Sequence, residues 1–298
     1  MIRKLFVGIS LFTLTLFALW YFLIALKPEP MPIKDIFTAY EYSNPYPTNM
    51  QMWKLAGGDF EFTFDSYDGQ KVTGQIRYPK TKTNSYPVLL GVPAMGRSYV
   101  RWFAESFKGR QTVTQVNKIT ENAVNKGYAV IAIDPRYHGR RKDPNRTLRS
   151  IMFDMNFMGD KTDYQAMIHD TVLDYRVLLD WIDTQPELDS GNVTVAGYSM
   201  GGQIALLLSV FDHRLAKTIS IVPPFVGDKV ALVAPFNVVG YIEHASVLLV
   251  SANDDENSSK RQNQVLFQKI ASKNKNHIQF DSGHILPKDY VAAVANWL

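Results

Sequence analysis

Short apolar runs rich in β-branched residues recur along this chain, and each gives way to a stretch that favours helix. The runs YPVLLGVPA, YAVIAIDP, VTVAGYS, KTISIVPP and SVLLVSAND are continuous in polarity rather than alternating, so strands made from them must be covered on both faces. Between them lie YQAMIHDTVLDYRVLLDWIDTQ, GGQIALLLSVF and KRQNQVLFQKIASK, which are long enough for helices. That order predicts an α/β chain with a mostly parallel sheet between two helical layers. The first of these helices places Ile168, Val172, Tyr175, Leu178 or Leu179 and Ile182 at steps of three and four. Asp170, Asp174 and Asp180 fall off that stripe, so the helix packs one face on the sheet. Ahead of the repeating pattern, Phe60, Phe62 and Phe64 alternate with polar residues, and Asp68-Gly69 forms the turn of a hairpin.

With 298 residues and 46% hydrophobic content, the chain can bury one large core. That core is assigned to residues 58–298. A net charge of +4 is too small to imply a nucleic-acid partner, and no nucleic-acid motif is present. The absence of cysteine excludes disulfides, thiolate metal sites and a cysteine nucleophile.

At the N-terminus, Arg3 and Lys4 precede a charge-free apolar run over residues 5–26. At about 1.5 Å per residue it extends roughly 33 Å, the thickness of a bilayer's hydrocarbon core. Basic residues ahead of the run place the N-terminus in the cytoplasm and the remainder outside it. The expectation is an uncleaved signal anchor over residues 1–27 and a membrane-held extracytoplasmic domain. The competing reading is a signal peptide that is cleaved, leaving a secreted protein. Residues 28–57, with Pro28, Pro30, Pro32, Pro45 and Pro47, are expected to form a linker.

Gly197-Tyr198-Ser199-Met200-Gly201 fits G-x-S-x-G at the point where an apolar strand gives way to a helix. A nucleophilic serine on such a turn needs small neighbours, because its backbone is strained. An inert serine in a glycine turn would carry the same five residues, so the remaining machinery matters. A hydroxyl needs a base as it attacks. Among the six histidines, His284 lies just after the last strand, beside Gly283, in the last position of the order Ser, Asp, His. The base needs a carboxylate to fix its tautomer. The strand run VLLVSAN ends in Asp254, Asp255 and Glu256. Turn length favours Asp254, and one residue more in the turn exchanges it for Asp255. Two backbone N–H groups must meet the oxyanion. They are assigned to Met200, which follows the serine, and to Met95 in the loop before Gly96.

Together these residues resemble the α/β-hydrolase superfamily over roughly residues 58–298. The hairpin with Asp68-Gly69, the segment DPRYHGRR and the closing Asp and His look most like its dienelactone-hydrolase and prolyl-oligopeptidase-type esterase branches. The resemblance implies an α/β-hydrolase fold with a mostly parallel eight-stranded sheet and a Ser199, Asp254, His284 triad. It also implies metal- and cofactor-free hydrolysis of an acyl ester or amide through an acyl-enzyme, and a carboxylic ester is the expected substrate. Peptidases and acyltransferases share this machinery, and a hydrolase-fold binding protein without chemistry is the alternative of a different class. The chain departs from the pattern in the oxyanion loop, where the usual His-Gly is Pro93-Ala94, and no large β-propeller is expected ahead of the catalytic domain.

Substrate hints are indirect. Arg136, Arg140, Arg141, Lys142, Arg146 and Arg149 face the single acid Asp143 over residues 136–149. This loop either attracts an anionic substrate or lipid headgroup or pairs with acids elsewhere. Ile151, Met152, Phe153, Met155, Phe157 and Met158 are candidates for an acyl-pocket wall, as is the segment PPFVGDKVALVAPFNVVGYIEHA for a small cap.

Overall fold

The computed structural model describes residues 2–43 and 48–298, with backbone alone for residues 2–9 and for Leu11. The strands are β1 (Gln51–Lys54), β2 (Phe60–Asp65), β3 (Lys71–Arg77), β4 (Tyr86–Val92), β5 (Ser106–Phe107), β6 (Arg110–Gln111), β7 (Ala129–Ile133), β8 (Leu188–Tyr198), β9 (Leu215–Ile221), β10 (Ser246–Ala252) and β11 (Lys275–Phe280). The helices are α1 (Ile2–Leu23), α2 (Ile33–Ala39), α3 (Val100–Phe103), α4 (Val116–Asn125), α5 (Leu148–Phe153), α6 (Thr162–Ile182), α7 (Met200–Phe211), α8 (Pro235–Val238), α9 (Lys260–Lys269) and α10 (Tyr290–Trp297).

The main sheet runs β1-β2-β3-β7-β4-β8-β9-β10-β11. β1, β2 and β3 are antiparallel, β3 meets β7 antiparallel, and every pairing from β7 to β11 is parallel. The sheet is covered on both faces, as its apolar strands require. Core residues of α6 and α7, such as Ile168, Val172 and Ile204, pack on one face with Val88, Leu90 and Ile131. Ile119 of α4, Trp102 of α3 and Val294 of α10 pack on the other with Leu89 and Val130. The carboxyl ends of the parallel strands share one edge, where α/β folds place their ligands.

One expectation changes and another finds no support. The described sheet has nine strands rather than eight, because Gln51–Lys54, assigned to the linker, pairs with β2 at the sheet edge. Part of the linker over residues 28–57 packs on the domain: α2 buries Ile36, and Tyr40 stacks on Phe211 with ring centroids 3.7 Å apart. Pro45 and Pro47 lie outside the described residues. The anchor over residues 1–27 finds no support. The segment is helical, but among the described residues no helix is long and apolar enough to cross a membrane. The side chains of residues 5–9 and Leu11, which belong to that expected span, lie outside those described.

The end of α1 touches the domain. Trp20 donates its indole N–H to the Phe157 carbonyl at 2.6 Å, and Lys161 pairs with Glu29 at 2.6 Å. The Ile24 carbonyl comes so close to Gly159 that a Cβ there would lie 1.9 Å away.

Candidate active site

Ser199 sits between the last residue of β8 and the first of α7, with φ 57° and ψ −120°, a conformation that costs a non-glycine residue energy. The neighbouring strand holds it there, since the Ser199 N–H donates to the Ile221 carbonyl at 2.8 Å. The flanking glycines are required by space as well as by the turn. A Cβ on Gly197 would lie 1.9 Å from the Gly201 carbonyl, and one on Gly201 would lie 2.1 Å from that of Val92.

His284 follows β11 and places Nε2 2.8 Å from Ser199 Oγ. Its Nδ1 lies 2.9 and 3.0 Å from the two carboxylate oxygens of Asp255. A carboxylate only accepts, so Nδ1 carries the proton and Nε2 is left to accept the serine hydroxyl. The Asp255 carboxylate is 1% exposed, and it also accepts the Asn257 N–H at 2.8 Å, which fixes its orientation.

Asp254, the acid chosen from turn length, is not the one that meets the imidazole. β10 ends at Ala252, but pairing with the β11 side continues through Asn253 N–H to the Phe280 carbonyl and Asp254 N–H to the Ser282 carbonyl. The extended register turns the Asp254 side chain to solvent and the next residue inward.

The expected oxyanion donors stand at the ends of adjacent parallel strands. Met200 opens α7 beside β8, and Met95 follows β4, with Gly96 at φ +75°. Neither N–H has a backbone or side-chain acceptor among the described residues, so both are free for a ligand oxygen.

Tyr198 was not among the expected site residues. Its hydroxyl donates to the His284 carbonyl at 2.7 Å and accepts the Leu286 N–H at 3.1 Å, tying the histidine loop to the serine strand. Its place in G-x-S-x-G was the available signal, but the partner loop is 86 positions away in sequence.

The basic loop after β7 pairs largely with acids. Arg136 binds Asp68 at 2.6 Å and Asp174 at 2.7 Å, Arg141 binds Asp174 at 2.5 Å, and Arg140 binds Glu61 at 2.6 Å. Arg146 bridges Asp154 and Asp163. Asp174 is fully buried. Burial alone would raise its pKa, but the Arg141 and Arg136 guanidiniums more than offset this and hold it below the ordinary carboxylate value. His138, also buried, is held down to about 4 by loss of solvent, and its Nδ1 lies 2.7 Å from the Arg136 carbonyl.

Of the apolar segments, Phe153, Phe157 and Met158 are about half exposed, while Ile151, Val230 and Val233 are core. A cavity of about 450 Å3 lies between Trp20 and Leu26 of the N-terminal segment, Met155, Phe225 and Val226. The Phe225 N–H donates to the Asn257 carbonyl at 3.1 Å, so this wall adjoins the loop that carries Asp255.

A sequence model of the dienelactone hydrolase family matches residues 103–282. The chain belongs to this family. The matched stretch of this dienelactone hydrolase family member includes Ser199 and Asp255 and stops just short of His284, and membership makes the protein a hydrolase. A comparison with curated proteins finds no sequence match. Solved structures similar to it include an acetyl xylan esterase from Paenibacillus sp. R4, with a TM-score of 0.71 and 18% identity over 91% of this chain and 96% of that one. Acetyl xylan esterase 1 from Thermoanaerobacterium sp. JW/SL YS485 gives a TM-score of 0.70 and 17% identity over 92% and 95%. An esterase of Pyrococcus furiosus gives 0.58 and 15% over 91% and 96%. At these identities the likeness establishes the α/β-hydrolase fold.

Proposed function

We propose that this family member is a serine hydrolase that cleaves a carboxylic ester through an acyl-enzyme. The observation that carries the reading is the unbroken hydrogen-bond chain Ser199 Oγ, His284, Asp255, with links of 2.8 and 2.9 Å. Ser199 Oγ attacks the ester carbonyl carbon while His284 Nε2 takes its proton, and the Asp255 carboxylate stabilises the imidazolium that forms. The N–H groups of Met200 and Met95 meet the developing oxyanion. A donor of this kind contributes about 10²–10³ in kcat. His284 then returns the proton to the departing alkoxide, and the same steps run with water to release the acid.

The substrate is proposed to be a small acyl ester. The similar acetyl xylan esterases support a short acyl group. Localisation is also proposed: Arg3 and Lys4 before the charge-free run support an extracytoplasmic domain held at a membrane by its N-terminal segment. Fractionation of cells and the N-terminal sequence of the mature protein test this. Recovery in the soluble fraction with a start near residue 27 would refute retention.

The chemistry is tested by labelling with a fluorophosphonate and by hydrolysis of p-nitrophenyl esters of increasing chain length. Wild type labels at Ser199 and hydrolyses the short esters, whereas Ser199→Ala does neither. Well-folded wild type that resists the probe would overturn the reading.

A further inference from the structure

The arginines after β7 are mostly matched by acids, but the cations beyond the loop that follows β4 are not. A cavity of about 690 Å3 opens between that loop, α3 and the β5–β6 hairpin. Arg97, Arg101, Lys108, Arg110 and Lys142 line it. Glu61 is the one carboxylate in the lining among the described residues, and it is already engaged. It accepts from Arg140 and from the Tyr99 hydroxyl, each at 2.6 Å. Arg97, which is half-buried, and the exposed Lys108, Arg110 and Lys142 form no ion pair with any described acid.

Arg101 is the most informative of these. It is 6% exposed, yet its guanidinium is held by neutral oxygens alone: the carbonyls of Arg110 at 2.5 Å and Phe107 at 3.2 Å, and the Thr112 hydroxyl at 3.3 Å. Loss of solvent, followed by the charges of Arg97 and Arg110, lowers its pKa. A buried charge is ordinarily paired, since desolvation is otherwise uncompensated. Here the hydrogen bonds are present and the counter-charge is not.

We propose that this cavity binds a small polyanion, its phosphate or carboxylate groups held by Arg97, Arg101 and Arg110, with Lys108 and Lys142 at the rim. Guanidiniums present planar pairs of N–H donors that match both oxyanions. A cleft lined by one sign of charge concentrates the opposite sign. The lining contains none of Ser199, Asp255 and His284, and Gly96 joins Arg97 directly to Met95.

Titration calorimetry of the full chain at fixed ionic strength tests the site with two probes, sodium pyrophosphate and sodium citrate. Binding of one molecule per chain is expected for at least one probe, and which one binds separates a phosphate ligand from a carboxylate ligand. Arg97→Gln with Arg110→Gln weakens that binding at least tenfold. Lys71→Gln, at a lysine paired with Asp65, leaves it unchanged. Should the double variant fail to fold, Lys108→Gln and Lys142→Gln at exposed positions each weaken binding at least threefold. No heat with either probe, or undiminished binding in the lining variants, overturns the proposal.

Discussion

The Tyr198 hydroxyl bridges the His284 carbonyl, at 2.7 Å, and the Leu286 N–H, at 3.1 Å. The residue that precedes the serine therefore holds the loop that carries the histidine. Tyr198 touches no reacting atom and is a positioning residue. Tyr198→Phe keeps the buried ring and removes both bonds. An unpaired buried polar group costs about 1–3 kcal/mol. The expected outcome is a kcat on p-nitrophenyl acetate lower by about tenfold, because a small misplacement of the base is costly, with KM changed less than about twofold. An unchanged kcat in steady-state assays counts against this role.

Asp255 and Asp254 are neighbours in sequence with opposite expected effects. Asp255→Asn replaces the acceptor-only carboxylate with an amide that can donate to Nδ1, so the His284 tautomer is no longer fixed and kcat falls by about 10⁴. Asp254→Asn, at a solvent-facing side chain, changes kcat by no more than a few-fold. Parallel esterase assays on the two variants decide between them, and the reverse ranking would restore Asp254 as the acid.

Asp174 lies fully buried between Arg136 and Arg141 and also accepts from the Ser66 hydroxyl at 2.6 Å. Asp174→Asn leaves two largely buried guanidiniums without their shared counter-charge, a change that costs about 3–5 kcal/mol. Urea denaturation is expected to show a lower midpoint at unchanged slope. A loss below about 1 kcal/mol would mean that the network contributes little.

His138 links stability to pH. Its pKa in the folded chain is lowered to about 4 by burial, from 6.5. Between those values the unfolded chain binds the proton and the folded chain does not. The contribution to stability is therefore full above the unfolded value and is lost as pH falls toward the folded one. His138→Gln, which cannot titrate, should lose less stability than wild type in urea melts between about pH 7 and about pH 5. Equal losses would place the pH dependence in other groups.

Much of the fold is legible in the chain because it follows from local pattern. Continuous apolar runs such as those of β4, β7 and β8 require cover on both faces, and the amphipathic stripe of α6 supplies part of it. Ser199 and His284 are legible for a related reason: each is a short turn beside a glycine at the end of a strand. The edge strand β1 and the packed helix α2 are not, since proline-rich sequence says nothing of what lies beside it. Asp254 and Asp255 differ only in a register that β11 imposes. Tyr198 acquires its role from a loop that is remote in sequence. The same holds for charge, because the composition of residues 136–149 displays the arginines but not Asp68, Asp174 and Glu61, which neutralise them. The layers, the strand-to-helix turn and the candidate nucleophile and base follow from local pattern, because periodicity and glycine sterics act over a few residues. Which acid meets His284 and which cations stay unpaired follow from the folded arrangement, because both depend on side chains brought together from distant strands.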